Sequence, residues 1–251
     1  MIREGSTSRR PQHWQGGLAI APACAVWRGV AGDSLLHRHT AAQAVLARQG
    51  LAVVEDRHGR RCEAACVLIE PMQWHRLPLG ADVTLVFLEP WVPASQVLAQ
   101  SILPAGFEAA LADARCLGEV GESAPPASQA LFWQRWLARR EPNGADRVDG
   151  EWLARACHFI EQRLGDGRLA LGDLAAHMGL SSEHLRHRFA QASGLPFKRY
   201  VLWRRLRLAG QALAAGQGAT AAAHQAGFAD AAHLARTLKA MFGVTASQIR
   251  A

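Results

Sequence analysis

The spacing of apolar residues divides the chain into a strand-like first part and a helical last part. Between Leu18 and about Pro90, apolar runs of strand length alternate with glycine, proline and other turn-forming residues. Many short strands with regular turns between them predict a β-sandwich or a β-barrel. The clearest of these runs are 44–46, 51–54, 66–69 and 83–88.

Beyond Pro90 the apolar spacing becomes helical. Residues 95–138 place apolar side chains at helical intervals, and residues 140–146 form a polar turn cluster suited to a linker. All later segments have a helical pattern. We therefore predict a multi-domain α and β protein, with a β-barrel at 15–92, a helical segment at 93–140 and an all-α domain at 150–251.

The all-α domain contains an internal repeat. His184-Leu185 recurs 49 residues later as His233-Leu234, and Gly179 recurs 48 residues later as Gly227. Self-similarity at such a spacing indicates two copies of one structural unit.

The first copy has the pattern of two helices joined by a tight turn. Its short apolar helix ends at Gly179, because glycine permits the positive φ of a sharp turn. Ser181 or Ser182 can cap the next helix, which buries Leu185 and Phe189 on one face. This arrangement predicts a helix-turn-helix.

The second copy repeats this pattern after a long connector. Its turn lies at Gly227 and its cap at Asp230, and it buries Leu234 and Leu238. Residues 196–214, between the copies, predict one long helix whose polar face carries Lys198, Arg199, Arg204, Arg205 and Arg207. Such a rigid connector holds the two outer helices at a fixed distance, and about 34 Å would place both in successive major grooves of DNA.

The charge distribution favours a nucleic-acid partner for the same domain. The whole chain carries a net charge of +7. Residues 151–251 hold 13 Lys and Arg against 6 Asp and Glu, whereas residues 1–150 hold 15 of each. The entire positive excess therefore lies in the helical domain, where it would attract a polyanion.

These features resemble the AraC/XylS family of transcription regulators. The resemblance rests on the two helix-turn-helix units, the turn Gly227-Phe228 with Asp230, the following Arg236, and the ending 242–250. It covers residues 151–251 and implies a sequence-specific DNA-binding regulator. A helical packing domain with an accidental likeness is the alternative.

The resemblance also implies which residues meet DNA. In this family the outward face of each second helix contacts bases, and Arg186 and Arg236 are suited to a bidentate contact with guanine. Phosphate contacts, which add affinity and salt dependence, are expected from Arg188, Lys198, Arg199 and Lys239. The base-contacting positions are Ser182, Glu183, Arg186, His187, Ala231, Ala232, Ala235 and Arg236.

The second unit departs from the family pattern. Ala219 and Ala222 stand where large aliphatic residues are usual, and Leu238 replaces an aromatic residue. Its predicted recognition face is also mostly alanine. We therefore expect the second unit to be loosely packed and the first to provide most of the sequence discrimination.

The first domain resembles a cupin barrel. His37, His39 and Gln43 match the first cupin motif, and Pro71 to His75 match a degraded second one. In metal cupins, three histidines and a glutamate bind one ion. Because the neutral Gln43 replaces that glutamate, we expect no metal and no cofactor. The predicted effector pocket consists of His37, His39, Gln43, Trp74 and His75.

The whole chain is therefore expected to be a ligand-responsive transcription regulator and not an enzyme. A metal-dependent cupin enzyme with a helical appendage is the alternative. The expected partners are double-stranded promoter DNA and a small-molecule effector. RNA polymerase is also expected, because a transcription activator contacts it. A second copy of the chain is expected to bind through residues 95–138. We expect a cytoplasmic protein with no membrane partner. The cysteines are scattered along the sequence, and it has neither a signal-peptide pattern nor an apolar run long enough to cross a bilayer.

Overall fold

The computed structural model describes residues 14–21, 24–32, 34–78, 80–89, 100–117, 146–166 and 168–242. These residues form a β-rich domain followed by a helical domain, which confirms the predicted combination of α and β domains. The four strongest strand predictions all coincide with strands of the structure.

The β-rich domain consists of two sheets. Its strands are β1 (Gln15–Ile20), β2 (Cys24–Val30), β3 (Ala42–Ala47), β4 (Ala52–Asp56), β5 (Arg61–Ala64), β6 (Cys66–Ile69), β7 (His75–Arg76), β8 (Asp82–Leu88) and β9 (Arg115–Leu117). The larger sheet has the order β1-β2-β8-β3-β6-β9, and the smaller has the order β5-β4-β7. All neighbouring strands are antiparallel except β6 and β9, which are parallel.

The alternation of side chains along β3 explains why the larger sheet has a core on each face. Successive side chains of a strand point to opposite faces. Val45 therefore packs between the two sheets, whereas Ala42 and Ala44 pack on the outer face. Gln43 shares the face of Val45 and is turned towards the interior between the sheets. That interior is filled by Trp27, Val54, Cys62, Leu77 and Leu85, among others.

The outer face of the larger sheet is covered by helix α1 (Phe107–Ala112), whose Phe107 and Leu111 are buried there. The strand β9 follows directly. It differs from the prediction of helices in this segment, because pairing with β6 at the sheet edge outweighs the local pattern. The predictions for 95–99 and 118–138, including the dimer contact, lie outside the described residues.

The helical domain has the elements that the repeat predicted. The helices are α2 (Asp146–Gln162), α3 (Leu171–Met178), α4 (Ser182–Ser193), α5 (Phe197–Ala214), α6 (Ala219–Gln225) and α7 (Ala231–Phe242), with a 3-10 turn at Leu164–Asp166. Helices α3 and α4 form the first helix-turn-helix unit, α6 and α7 form the second, and α5 is the long connector.

The turns and caps of both units confirm the sequence-based predictions. Gly179 and Gly227 adopt positive φ angles of 67° and 73°. Ser181 caps α4 and Asp230 caps α7, each by accepting a hydrogen bond from the backbone N–H three residues later. Each cap satisfies a backbone donor at a helix start, which contributes about 1 kcal/mol.

The two units are packed with side chains of different size. The first buries Leu174, Leu185 and Phe189 against helix α2. In the second, Ala222 and Ala223 are completely buried against helix α5. The small side chains of the second unit therefore do not open its core to solvent.

Candidate functional site

Helix α4 presents a polar face to solvent. Leu185 and Phe189 are fully buried, which turns the opposite side of the helix outward. The four predicted base-contacting residues all lie on the exposed side: Ser182, Glu183, Arg186 and His187. The structure thus brings this predicted set together on one accessible surface.

Helix α7 presents a smaller and less polar face. Leu234 and Leu238 anchor the helix in the core. Ala232, Arg236 and Lys239 are exposed, whereas Ala231 and Ala235 are partly buried. Arg236 and Lys239 are the cationic side chains of this helix.

The predicted phosphate contacts divide into two groups. Lys198 and Lys239 are exposed. Arg188 instead places its guanidinium 4.5 Å from the ring centroid of Trp152. Arg199 is exposed but donates a hydrogen bond from Nη1 to the sulfur of Met72, in the β-rich domain.

The arginines of helix α5 correct a prediction. The sequence placed Arg204 and Arg207 on a solvent-facing side, but both are directed at the buried carboxylate of Glu89, at the end of β8. Their Nη1 atoms lie 3.3 and 2.9 Å from its oxygens. Trp203 also donates to Glu89 through its indole N–H, at 3.1 Å. Together these four residues form a buried charge cluster between the two domains. Glu89 is only 2% exposed, so its charge needs partners within the protein.

A cluster of three histidines lies in the β-rich domain. His37 and His75 form an isolated β-bridge at the start of β7, and their ring centroids are 4.3 Å apart. The ring of His39 lies 5.1 Å from that of His75. Gln43 joins them, since its Oε1 lies 2.8 Å from Nε2 of His39 and 3.2 Å from Nε2 of His75.

The backbone fixes the orientation of each imidazole. The Nδ1 atoms of His37, His39 and His75 lie 2.7, 2.9 and 2.9 Å from the carbonyl oxygens of residues 35, 41 and 73. Burial lowers the pKa of all three rings, that of His39 to about 4. The rings are therefore neutral near pH 7, and Nδ1 carries the proton that is donated to each carbonyl.

The histidine cluster adjoins a cavity between the two domains. Its empty space is about 980 Å³, part of it open to solvent. His37, Gln43 and Glu89 contribute the polar part of the lining from the β-rich domain. The apolar lining from that domain includes Leu18, Ile20, Trp27, Leu85 and Phe87, and the helical domain contributes Trp203, Leu206, Leu238 and Phe242.

Trp74 lies apart from this cavity. The guanidinium of Arg38 covers its ring at 4.7 Å, and both residues line a neighbouring hollow. Arg199, Leu202 and Met241 close that hollow from the helical domain. Of the predicted effector-pocket residues, His37, His39, Gln43 and His75 therefore lie together. Trp74 lies in the second pocket, where the two domains also meet.

Comparison with known proteins identifies the helical domain. A sequence profile of a helix-turn-helix domain family matches residues 174–251, which include most of the first unit and all of the second. This region is an AraC-type helix-turn-helix domain. The resemblance that was read from the repeat and its turns is thereby confirmed.

Two curated proteins are similar to part of this chain. The transcriptional activator RhrA of Rhizobium meliloti is 33% identical over 94 residues, which cover 36% of this chain and 30% of RhrA. The regulatory protein ada of Salmonella typhimurium is 35% identical over 99 residues, which cover 39% of this chain and 27% of that protein. The chain thus matches less than a third of the length of either relative.

A solved structure resembles the chain over both domains. ToxT from Vibrio cholerae is 13% identical, with a TM-score of 0.51, and the match covers 90% of this chain and 96% of ToxT. The likeness shows that the two chains share a fold over the β-rich and the helical domain. Among the described residues, no helix combines the length and apolar character needed to cross a bilayer.

Sequence reasoning missed the residues that join the AraC-type domain to the β-rich domain. Phe242 lies with its ring centroid 5.6 Å from that of His39 and 5.7 Å from that of Phe87. Glu89 is a single acidic residue beside Pro90, and nothing local distinguishes it. The only available signal was the cluster of arginines in α5, which is equally typical of a DNA-facing helix.

Proposed function

We propose that the protein is a sequence-specific DNA-binding transcription regulator whose β-rich domain senses an effector. The observation that supports DNA binding is the pair of exposed recognition helices, α4 and α7, at the two ends of one connecting helix. Helix α5 has 18 residues and is therefore about 27 Å long. A separation of this order suits two helices that enter successive major grooves.

The roles within the interface follow from exposure and charge. Arg186 and Arg236 are placed to read guanine edges, and Glu183 to accept a hydrogen bond from a cytosine amino group. Lys198 and Lys239 provide phosphate contacts, which add affinity without reading the sequence. Arg188 and Arg199 also make contacts within the protein, since one packs on Trp152 and the other donates to Met72, so their predicted phosphate contacts would compete with these.

The interdomain cavity is the proposed effector site. Most of its lining is apolar, and both domains contribute to it. Because Leu238 and Phe242 belong to the second recognition helix, a ligand that fills the cavity changes the packing of that helix. A small apolar molecule with one polar group fits this lining. The fluorophore 1-anilinonaphthalene-8-sulfonate, which joins apolar rings to one sulfonate, tests this step. We expect one molecule to bind per folded chain, and binding to be lost in Ala25→Phe, because Ala25 lines the cavity and the larger side chain fills it.

DNA binding is tested with the full chain. A preferred site is selected from random duplexes, and fluorescence anisotropy then measures affinity for that site and for a scrambled one over a range of salt concentrations. We expect the selected site to bind about 10³-fold or more tightly than the scrambled one. The affinity should also fall steeply as salt rises. Equal affinity for both duplexes would contradict sequence-specific binding.

A further inference from the structure

The hollow beside Trp74 is a second pocket between the two domains. It contains about 650 Å³ of empty space, part of it open to solvent. Among the described residues it shares no lining residue with the proposed effector cavity. Its described lining includes Arg38 and Thr40 from the β-rich domain and Arg199 from helix α5, but no carboxylate. The hollow therefore carries two positive charges, one from each domain.

Neither arginine of the hollow forms an ion pair with a carboxylate of the described residues. The guanidinium of Arg38 lies over the ring of Trp74, 4.7 Å from its centroid, and this contact does not use its N–H groups as hydrogen-bond donors. Arg199 donates from Nη1 to the sulfur of Met72 at 2.9 Å. A thioether sulfur is a weak acceptor, so both guanidinium groups remain able to bind an anion.

A buried hydroxyl in the wall of the hollow lacks a hydrogen-bond partner. Thr40 is 1% exposed, and its Oγ1 meets no donor or acceptor among the described residues. Buried polar side chains normally have such a partner, because burial without one is unfavourable. An ordered water would satisfy the hydroxyl alone. An oxyanion would satisfy the hydroxyl and also bring a counter-charge to Arg38 and Arg199.

The backbone is strained at the same place. Met72 has a φ of 66°, and within the described part of the chain it is the one residue other than glycine with a positive φ. Its N–H donates to the carbonyl of His39 at 2.7 Å, which fixes the turn. A bulky residue in this conformation is strained, and such strain is found mainly at binding and catalytic sites. Here the strained residue is the one that contacts Arg199 across the hollow.

The donors and charges of the hollow distinguish between classes of anion. Each guanidinium offers a planar fork of N–H groups, and Thr40 adds a hydroxyl. A carboxylate has two oxygens and one charge. A phosphate monoester has three terminal oxygens and about two negative charges near pH 7, so it matches the three donor groups and the two cations better. Trp74, Leu202 and Met241 offer an apolar surface to the group that carries the phosphate.

We propose that this hollow binds a small phosphate monoester with an apolar or aromatic body, whose phosphate is held by Arg38, Thr40 and Arg199. The bound phosphate bridges the two domains, because Arg38 and Thr40 belong to one and Arg199 to the other. It also occupies Arg199, which the sequence predicts to contact DNA phosphates. The site goes beyond the proposed DNA-binding function, lies outside the proposed effector cavity and stands independently of both.

The test is a calorimetric titration of the full-length protein with phenyl phosphate in a phosphate-free buffer. We expect one molecule to bind per chain. Phenyl sulfate, which has the same shape but one charge, and benzoate should each bind about tenfold more weakly, because charge-assisted hydrogen bonds provide most of the affinity. Phenyl phosphate should also raise the melting temperature, since it binds the folded chain. Neither readout needs DNA, so a failure of this site and a failure of DNA binding are distinguishable.

Three variants locate the ligand. Arg38→Gln and Arg199→Gln each remove one charge, and Thr40→Val removes the hydroxyl while keeping the shape of the side chain. Each should weaken the binding of phenyl phosphate about tenfold, because each removes a hydrogen bond to a charged group. The matched control is Arg57→Gln, since Arg57 is an exposed arginine of the β-rich domain outside the hollow. Its affinity should equal that of the native chain.

Circular dichroism establishes that each variant is folded before it is titrated. Absence of one-to-one binding by the native chain would overturn the proposal, and so would equal affinity for phenyl phosphate, phenyl sulfate and benzoate. Native-like affinity in folded Arg38→Gln and Arg199→Gln, or an equal loss in Arg57→Gln, would place the binding outside this hollow. If Thr40→Val does not fold, the comparison of the exposed Arg38 and Arg199 with Arg57 still decides.

Discussion

Gly179 and Gly227 occupy the same place in the two helix-turn-helix units, yet their surroundings differ. Both have the positive φ that glycine adopts without steric cost. A Cβ at Gly179 would meet no heavy atom within 4 Å, whereas a Cβ at Gly227 would overlap the carbonyl oxygen of Leu164. The first glycine is therefore required by backbone conformation alone, and the second also by close packing.

This difference predicts unequal effects of two identical substitutions. Gly179→Ala should lower the free energy of unfolding by about 1 kcal/mol, because alanine is strained at positive φ. Gly227→Ala should lower it by about 2–4 kcal/mol, because the backbone must also move away from Leu164. Urea denaturation of the two variants measures both values, and equal losses would show that the contact at Gly227 is unimportant.

At the scale of elements, the two recognition helices have unequal outer faces. Helix α4 exposes a serine, a glutamate, an arginine and a histidine at the predicted base-contacting positions. Helix α7 offers three alanines and Arg236 at the matching positions, and two of those alanines are partly buried. Side chains with donors and acceptors distinguish bases, whereas alanine contributes only apolar contact.

We therefore expect Arg186→Ala to relax the preference at one base position of the selected site. The loss of affinity for the native base should be about 1–3 kcal/mol, with little loss for the other bases. Lys198→Ala serves as the control, because loss of a phosphate contact weakens binding uniformly and reduces the salt slope. Binding of a library with every single-base change distinguishes the two patterns, and a uniform loss in Arg186→Ala would exclude base reading by this residue.

At the scale of the whole molecule, the two domains are joined by a buried charge cluster. Glu89 is held by Trp203, Arg204 and Arg207, and Arg207 also donates to the carbonyl of Ala21. The arginine side chains are 15% and 12% exposed, so solvent cannot replace the carboxylate. We therefore expect the β-rich domain and the helical domain to behave as one unit while this cluster is intact.

Glu89→Ala should uncouple the domains. It leaves the mostly buried guanidinium of Arg207 without the carboxylate that faces it, whereas Arg204 keeps its ion pair with Glu161. Loss of one partner of a buried ion pair costs about 3–5 kcal/mol. We expect the single thermal transition of the native chain to separate into two in scanning calorimetry. Asp82→Ala removes a carboxylate of the same domain whose ion pair with Arg48 is exposed, so its melting curve should remain close to native. One unshifted transition in Glu89→Ala would show that the cluster does not couple the domains.

Elements whose signals are local could be predicted from the sequence. Within each unit the positive-φ glycine, the cap and the buried periodic residues are close in sequence, and they recur 48 or 49 residues later. Together they predicted both units and their outer faces. The short apolar runs likewise predicted the main strands.

Other features depend on the tertiary structure and could not be predicted from local patterns. The strand β9, the orientation of the α5 arginines towards Glu89, and the approach of Phe242 to His39 depend on contacts between residues far apart in the chain. The cupin resemblance grouped the histidines, but only the fold showed that each Nδ1 is held by a carbonyl. Long-range contacts leave no regular spacing of residues in the local sequence. They depend on which surfaces remain to be buried once the elements have formed.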